Sequence, residues 1–229
     1  MSDIRQQLLE EVKKYTMPVA AAAFLAENPP LIICSVTASG KNTVANHIIA
    51  TTDYRETVSH TTRPPRAGET NGQHYWFVDE AKMLELVRSK GFVEIKTIHG
   101  ETVYGTSVDA YKLVPKDGHK PLLVIDVQGV EEISRGLPEL KPYFLLPPSY
   151  EEWMNRLHSR GVITKEDKAE RMSSARREIA TVLNNPAYIL VVNDKIEKTA
   201  QTILSRQIDK TEQTKNRQLA RNLYQQLVK

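Results

Sequence analysis

An apolar run, LIICSV at 31–36, leads into Ser35-Val-Thr-Ala-Ser-Gly40-Lys41-Asn42-Thr43, and a helical pattern follows. A strand, a tight loop and a helix in this order can bind polyphosphate. Backbone N–H groups of the loop and the positive end of the helix face the phosphates, and the lysine adds its charge. The usual loop reads G-x-x-x-x-G-K-[ST]; here Ser35 stands for the first glycine and Asn42 for the hydroxyl residue, with Thr43 next. Alone, Gly-Lys after a strand describes a structural loop more readily than a phosphate site. A second cationic pair, Arg63 and Arg66, flanks the stiff Pro64-Pro65. Two planar guanidinium groups at such a turn can grip a monophosphate by paired hydrogen bonds.

These residues need a frame, and the pattern around them predicts one. Ile4, Leu8, Val12 and Tyr15 fall on one face of a helix over 3–15, with Asp3 as its cap, and a short alanine-rich helix follows, with Thr16 as cap and a stop at Asn28-Pro29-Pro30. Strands are expected at 31–36, 74–78, 92–98, 121–126, 143–148 and 188–194. Helices are expected at 44–50, from Asp79 to about Ser89, after the Ser149-x-x-Glu152 capping box to His158, and at 165–183. Four apolar strands separated by helices predict an α/β fold with a mainly parallel sheet, buried on both faces. The tail from 209 to 229 carries five basic and two acidic residues, with Leu219, Leu223 and Leu227 every fourth position. It reads as a helix that continues from Glu197 and packs on its own domain, or as one that docks on a partner subunit or an acidic surface.

Across 229 residues, 31 basic side chains nearly cancel 28 acidic ones, which speaks against a general nucleic-acid face. A single cysteine, Cys34, makes no intramolecular disulfide and fits a reducing, cytoplasmic compartment. The longest apolar stretch, 17–26, is half of what a bilayer requires, and the acidic Asp3, Glu10 and Glu11 ahead of it argue against a signal peptide.

The segment at 57–77, TVSHTTRPPRAGETNGQHYWF, resembles the nucleotide-binding segment of guanylate kinases, close to S-x-[ST]-T-R-x-P-R-x-G-E-x-x-G-x-x-Y. It is joined by VEIK around Glu94, Tyr104-Gly-Thr-Ser, Ile125-Asp126-Val-Gln-Gly129, LPPS at 146–149, Arg156-Leu-His-Ser-Arg160-Gly, Arg171 and VVND at 191–194. Order and spacing agree from about 31 to 208. The resemblance implies a P-loop core (31–56 and 113–208), an inserted nucleotide-monophosphate domain at about 57–112 and a lid at about 156–172. Residues 1–30 form an N-terminal extension, and 209–229 a basic tail. It implies transfer of the γ-phosphoryl of ATP to GMP, with Mg²⁺ bridging the donor phosphates, in a monomer or a homo-oligomer.

Guanine presents N1–H and an amino group as donors and O6 as acceptor, so its reader needs one carboxylate and a hydroxyl or two. By resemblance, Glu94 accepts from N1 and N2, Ser59 and Thr106 face O6, and Tyr75, Tyr104 and Glu69 position the phosphate and its arginines, Arg63 and Arg66. Ser35, Thr37, Ala38, Ser39, Gly40, Lys41, Asn42, Thr43, Arg156 and Asn193 would hold ATP. Thr43 and Asp126 would serve the metal, Asp126 through water. Lys41, Arg66, Arg160 and Arg171 would carry the transferring charge.

Three positions depart from the family. Ser35 and Ala38 replace glycines, and a positive φ at either would cost about 1–2 kcal/mol. Val124 replaces an acidic residue near substrate and magnesium. The segment Gly100-Glu-Thr-Val-Tyr104 has one extra residue, which could shift Tyr104 and Thr106. These departures keep open a binding module that holds a nucleotide or a partner with little transfer. They also leave open a nucleoside monophosphate kinase of altered base choice.

Overall fold

The structure is a computed structural model that describes residues 3–98, 101–159, 164–207 and 209–228. Its elements are α1 (Asp3–Lys14), α2 (Val19–Glu27), β1 (Leu31–Ser35), α3 (Lys41–Thr51), β2 (Tyr54–Glu56), β3 (His60–Thr61), β4 (Trp76–Phe77), α4 (Glu80–Arg88), β5 (Phe92–Ile98) and β6 (Thr102–Ser107). There follow α5 (Val108–Lys116), β7 (Lys120–Val124), α6 (Val127–Gly136), β8 (Tyr143–Leu146), α7 (Tyr150–His158), α8 (Lys165–Asn184), β9 (Ile189–Val192), α9 (Ile196–Ser205) and α10 (Lys210–Val228). The chain divides into two compact units.

The first unit comprises Met1–Leu31, Asp53–Leu123 and Gln128–Pro138. Its four-stranded sheet has the order β4-β3-β6-β5. β5 and β6 run antiparallel with Glu94 opposite Thr106, Lys96 opposite Tyr104 and Ile98 opposite Thr102. β2 pairs with β7 in parallel. The apolar stripe does what its spacing predicts: Leu8 and Val12 of α1 and Tyr15 directly after it join Met83, Leu84 and Val87 of α4 and Phe92, Ile95 and Val103 of the sheet in one buried cluster. Ile4 is the exception and stays exposed. The Tyr15 hydroxyl donates to the Phe92 carbonyl at 2.7 Å and accepts from its N–H at 2.8 Å. Asp79 caps α4 by accepting from the Lys82 N–H, as its position before the apolar pattern suggests. The strand expected at 74–78 shrinks to β4, because 70–74 forms a turn in which the His74 N–H donates to the Thr70 carbonyl and Gly72 takes φ +78°. Thr16 does not cap α2; Pro18 occupies that position.

The second unit comprises Ile32–Thr52, Val124–Val127 and Glu139–Lys229. Its strands β1, β8 and β9 run parallel, with Cys34 beside Phe144 and Phe144 beside Leu190. β1 and β8 are buried throughout, as fully apolar strands in a covered parallel sheet must be. The Ser149 hydroxyl accepts from the Glu152 N–H to start α7, and Thr164 accepts from the Asp167 N–H to start α8. The C-terminal region is two helices, broken where Arg206 takes φ +54°. α10 packs on α8 and β9. Its buried face is Asn216, Ala220 and Leu223, while Leu219 and Leu227 are half-buried. Gln213 brackets Leu190, accepting from its N–H at 3.0 Å and donating to its carbonyl at 2.9 Å, and Asn216 adds a second donor at 2.8 Å. Arg217 donates to the carbonyls of Val182, near the end of α8, and Tyr188, directly before β9. The buried face of the tail and the amides of Gln213 and Asn216 are therefore engaged within its own unit.

Among the described residues no helix is long and apolar enough to cross a membrane.

Candidate active site

In the first unit, the antiparallel register of β5 and β6 puts Glu94 and Thr106 directly opposite each other, 2 % and 0 % exposed. The Thr106 hydroxyl donates to Glu94 Oε1 at 2.7 Å, and Ser59 Oγ lies 3.0 Å from Thr106 Oγ1. A hydroxyl has one proton, so Ser59 is the donor in the second bond. Sequence reasoning named these three separately, and the fold strings them on one chain of hydrogen bonds. The extra residue at 100–104 does not disturb them, because the β5/β6 register is continuous from Thr102 to Thr106.

The same unit braces Arg63. Its Nη1 and Nη2 donate to the two oxygens of Glu69, each at 2.6 Å, and its Nε donates to the Tyr104 hydroxyl at 3.1 Å. Its guanidinium also lies 5.1 Å from the centre of the Tyr75 ring and 5.5 Å from that of Phe77. The Arg66 N–H donates to Glu69 Oε2 at 2.7 Å, while the Arg66 side chain is exposed. Hydrogen bonds from Arg63, then from the Arg66 N–H, hold the Glu69 carboxyl down at about 2. The bond to Glu69 raises Arg63 above the usual arginine range. Burial raises the Tyr75 hydroxyl. Two turn glycines serve this segment at positive φ, Gly68 at +84° and Gly72 at +78°.

In the second unit, β1 ends at Ser35 and α3 begins at Lys41, with a loop of five residues between them. Gly40 takes φ +84° as the N-cap of α3, and a Cβ there would stand 2.4 Å from Asn193 Nδ2. Both demands exclude a side chain. Ala38 also takes a left-handed conformation, φ +61°, whereas Ser35 does not. The strain anticipated at the two non-glycine positions therefore falls on Ala38 alone. Ser35 is an ordinary buried strand residue whose hydroxyl donates to the Val36 carbonyl.

The loop is held from several sides. Asn193 Nδ2 donates to the Ser39 carbonyl at 2.7 Å and its Oδ1 accepts from Thr199 at 3.0 Å, so this buried carboxamide clamps the loop backbone. The Trp153 indole N–H donates to the Thr37 carbonyl at 2.8 Å, and Arg171 Nη1 lies 3.4 Å from Thr37 Oγ1. Lys41 Nζ donates to the Ile125 carbonyl at 3.0 Å. Asn42 and Thr43 are exposed on the first turn of α3, and Asp126 is half-buried. Arg156 is engaged by Glu152 at 2.7 Å and by the Asn193 carbonyl at 2.9 Å. The Ser39 hydroxyl is buried with no hydrogen-bond partner among the described residues. Arg160 lies outside the described residues.

Several supports escaped sequence reasoning. Trp153 and Thr199 steady the loop, but an apolar aromatic and a helical threonine carry no spacing signal for that task. Gly129 stands behind Glu94, where a Cβ would lie 3.0 Å from Glu94 Oε2 and 3.1 Å from Lys96 Nζ. Its place in the Ile125–Gly129 segment was visible, but its reason was not.

The guanylate kinase family model matches residues 27–211. The chain is 38 % identical over 175 residues to the guanylate kinase of Neisseria gonorrhoeae, covering 76 % of this chain and 83 % of that protein. It is 35 % identical over 184 residues to the guanylate kinase of Escherichia coli K12, covering 79 % and 86 %. A crystal structure of guanylate kinase from Anaplasma phagocytophilum superposes with a TM-score of 0.58 at 28 % identity, over 80 % of this chain and 89 % of that one. An α/β chain with parallel strands, a loop–helix turn at Gly40-Lys41 and an arginine-rich hairpin matched over this length belongs to the guanylate kinase family.

Proposed function

We propose that the protein transfers the γ-phosphoryl of ATP to GMP, giving ADP and GDP. The observation that carries this reading is the Ser59–Thr106–Glu94 chain beside the braced Arg63, because it combines a base reader with a phosphate clamp in one unit. A carboxylate accepts from two adjacent N–H donors, which guanine has and adenine lacks at the corresponding edge. When N1–H and the 2-amino group occupy Glu94, the Thr106 proton is released to turn, with that of Ser59, toward O6. Arg63 and Arg66 take the acceptor phosphate, with Tyr75 and Tyr104 fixing their direction.

On the donor side, loop N–H groups from Thr37 to Thr43 and the start of α3 surround the β- and γ-phosphates, and Lys41 leaves the Ile125 carbonyl for the transferring group. Arg171, Arg160 and Arg156 add positive charge as it moves. The donors near the loop suit Mg²⁺, a hard cation that takes one or two protein oxygens and fills its shell with phosphate and water: Thr43 offers a hydroxyl and Asp126 a carboxylate. When bound, the ion neutralises charge between the donor phosphates. Asn42 would offer an amide oxygen where the family has a hydroxyl. This chemistry belongs where ATP and GMP are made and used, in the cytoplasm.

The test is ATP consumption with GMP, AMP, CMP and UMP in turn, on the parent and on Glu94→Gln. GMP alone should support turnover in the parent, and the variant should lose base discrimination, since an amide supplies one acceptor where guanine needs two. Equal affinity for GMP and AMP by calorimetry contradicts the base assignment, and a parent that binds GMP without consuming ATP is a binding module.

A further inference from the structure

Glu94 is a carboxylate with 2 % exposure, and burial alone would drive it to its neutral form. A neutral Glu94 has one carbonyl and one O–H, and cannot accept from both guanine donors. Thr106 supplies one hydrogen bond, to Oε1. Lys96 brings a positive charge near Oε2: it lies two residues along β5 and so on the same face of the strand, with Nζ at 3.8 Å and only 7 % of the residue exposed. The missing side chain of Gly129 leaves room for both charged ends.

We propose that Lys96 is a positioning and specificity residue: its buried ammonium keeps the guanine-reading carboxylate of Glu94 ionised, and so sets the preference for a base with two adjacent donors. The proposal rests on the reading of Glu94 as guanine reader. Surrounding groups direct the lysine to that task. Lys96 also lines a cavity of about 430 Å³ together with Lys13 and Tyr15, Glu132 and Arg135 of α6. Glu132 is a competing carboxyl, and its Oε2 accepts from the Ile95 N–H at 2.9 Å, between Glu94 and Lys96 in the strand. Burial first, and then the nearby Glu94, raise the Glu132 carboxyl to about 7, against the pull of the Ile95 N–H and, less, of Lys96 and Arg135. Near neutral pH Glu132 is about half-protonated, so it pulls on the ammonium less than a full carboxylate would.

The experiment compares the parent with Lys96→Met and Lys96→Gln, using GMP and inosine monophosphate as acceptors from pH 6 to 9. Inosine monophosphate lacks the 2-amino donor and needs one acceptor where guanine needs two. At pH 7 both variants should raise the KM for GMP at least tenfold, with kcat within threefold and a smaller rise for inosine monophosphate. The defect should shrink as pH rises and Glu94 ionises without help. A KM for GMP within twofold of the parent at every pH overturns the proposal, as does a rise that ignores pH and affects both acceptors equally. Glu94→Gln separates the two ideas. If it loses the GMP preference while the Lys96 variants keep it, only the lysine assignment falls; if it keeps the preference, the guanine reading falls first.

Discussion

In the proposed reaction the acceptor cluster and the phosphate loop both address phosphate, but they are assembled from opposite materials. Arg63 is gripped by Glu69, Tyr104 and two aromatic faces, and Glu94 by Thr106, so the acceptor cluster is a set of side chains locked to one another. The loop presents backbone. Its side chains are small, and its shape is imposed by Asn193, Trp153 and the left-handed turns at Ala38 and Gly40. A cluster of the first kind fails one contact at a time, whereas a backbone cradle depends on conformation and tolerates any side chain that permits its φ and ψ.

The largest effect should come from Lys41→Ala, which removes the loop's one long cation. We expect kcat to fall by about 10²–10³ or more, as for loss of a principal donor to a developing charge, while calorimetric GMP affinity stays within threefold. A loss of GMP affinity comparable with the loss of turnover would join the two regions that the comparison separates. Arg63→Ala comes next. Loss of a charge-assisted phosphate contact should raise the KM for GMP by roughly 30-fold or more, about 2–3 kcal/mol, with the KM for ATP unchanged. Glu69→Gln should act in the same direction and more weakly, since Tyr104 and the rings still hold Arg63.

Smaller and opposite effects should come from glycine in the loop. Ala38→Gly relieves a left-handed alanine and should stabilise the protein by about 1 kcal/mol while lowering the KM for ATP a few-fold. Ser35→Gly relieves nothing, because Ser35 is in the strand, and should destabilise by about 0.5–1 kcal/mol. Equal gains from both in thermal melts would show that the loop's shape is not governed by Ala38. The smallest effect is a slope. Glu132 titrates at about 7 in the fold against an ordinary value of 4.5. The folded state binds its proton more tightly, so this group's contribution is fully present below 4.5 and is lost as pH rises through 7. Glu132→Gln should flatten that part of the melting temperature's pH dependence, and an unchanged slope would place the titration elsewhere.

Legibility followed the same division. The buried strands β1, β8 and β9 were plain because apolar runs of that length have few other uses, and Asp79 and Ser149 announced their helices by cap chemistry. β6, α5 and α6 were harder. Thr102–Ser107 alternates only weakly, and the Val127, Val130, Ile133 stripe of α6 lies behind a motif read for its aspartate. Ser59, Glu94 and Thr106 were named through motif resemblance, yet their hydrogen-bonded order comes from β-sheet register, which no linear spacing states. Ser35 and Ala38 looked equivalent as replaced glycines. Only backbone angles distinguish them, and those depend on where β1 stops.

The contacts made by Tyr15 and Gln213 have a consequence of another kind. Phe92 lies in β5 and Leu190 in β9, each the last strand in its sheet order. In both places one side chain occupies the N–H and the carbonyl that would otherwise face outward from an edge. An exposed edge is a template on which another chain can add a strand. α1 lies wholly outside the segment matched by the family, and α10 almost wholly so. Tyr15, directly after α1, and Gln213 of α10 guard those edges, so we expect that losing either favours self-association through β-strand pairing below the melting temperature, as light scattering would show.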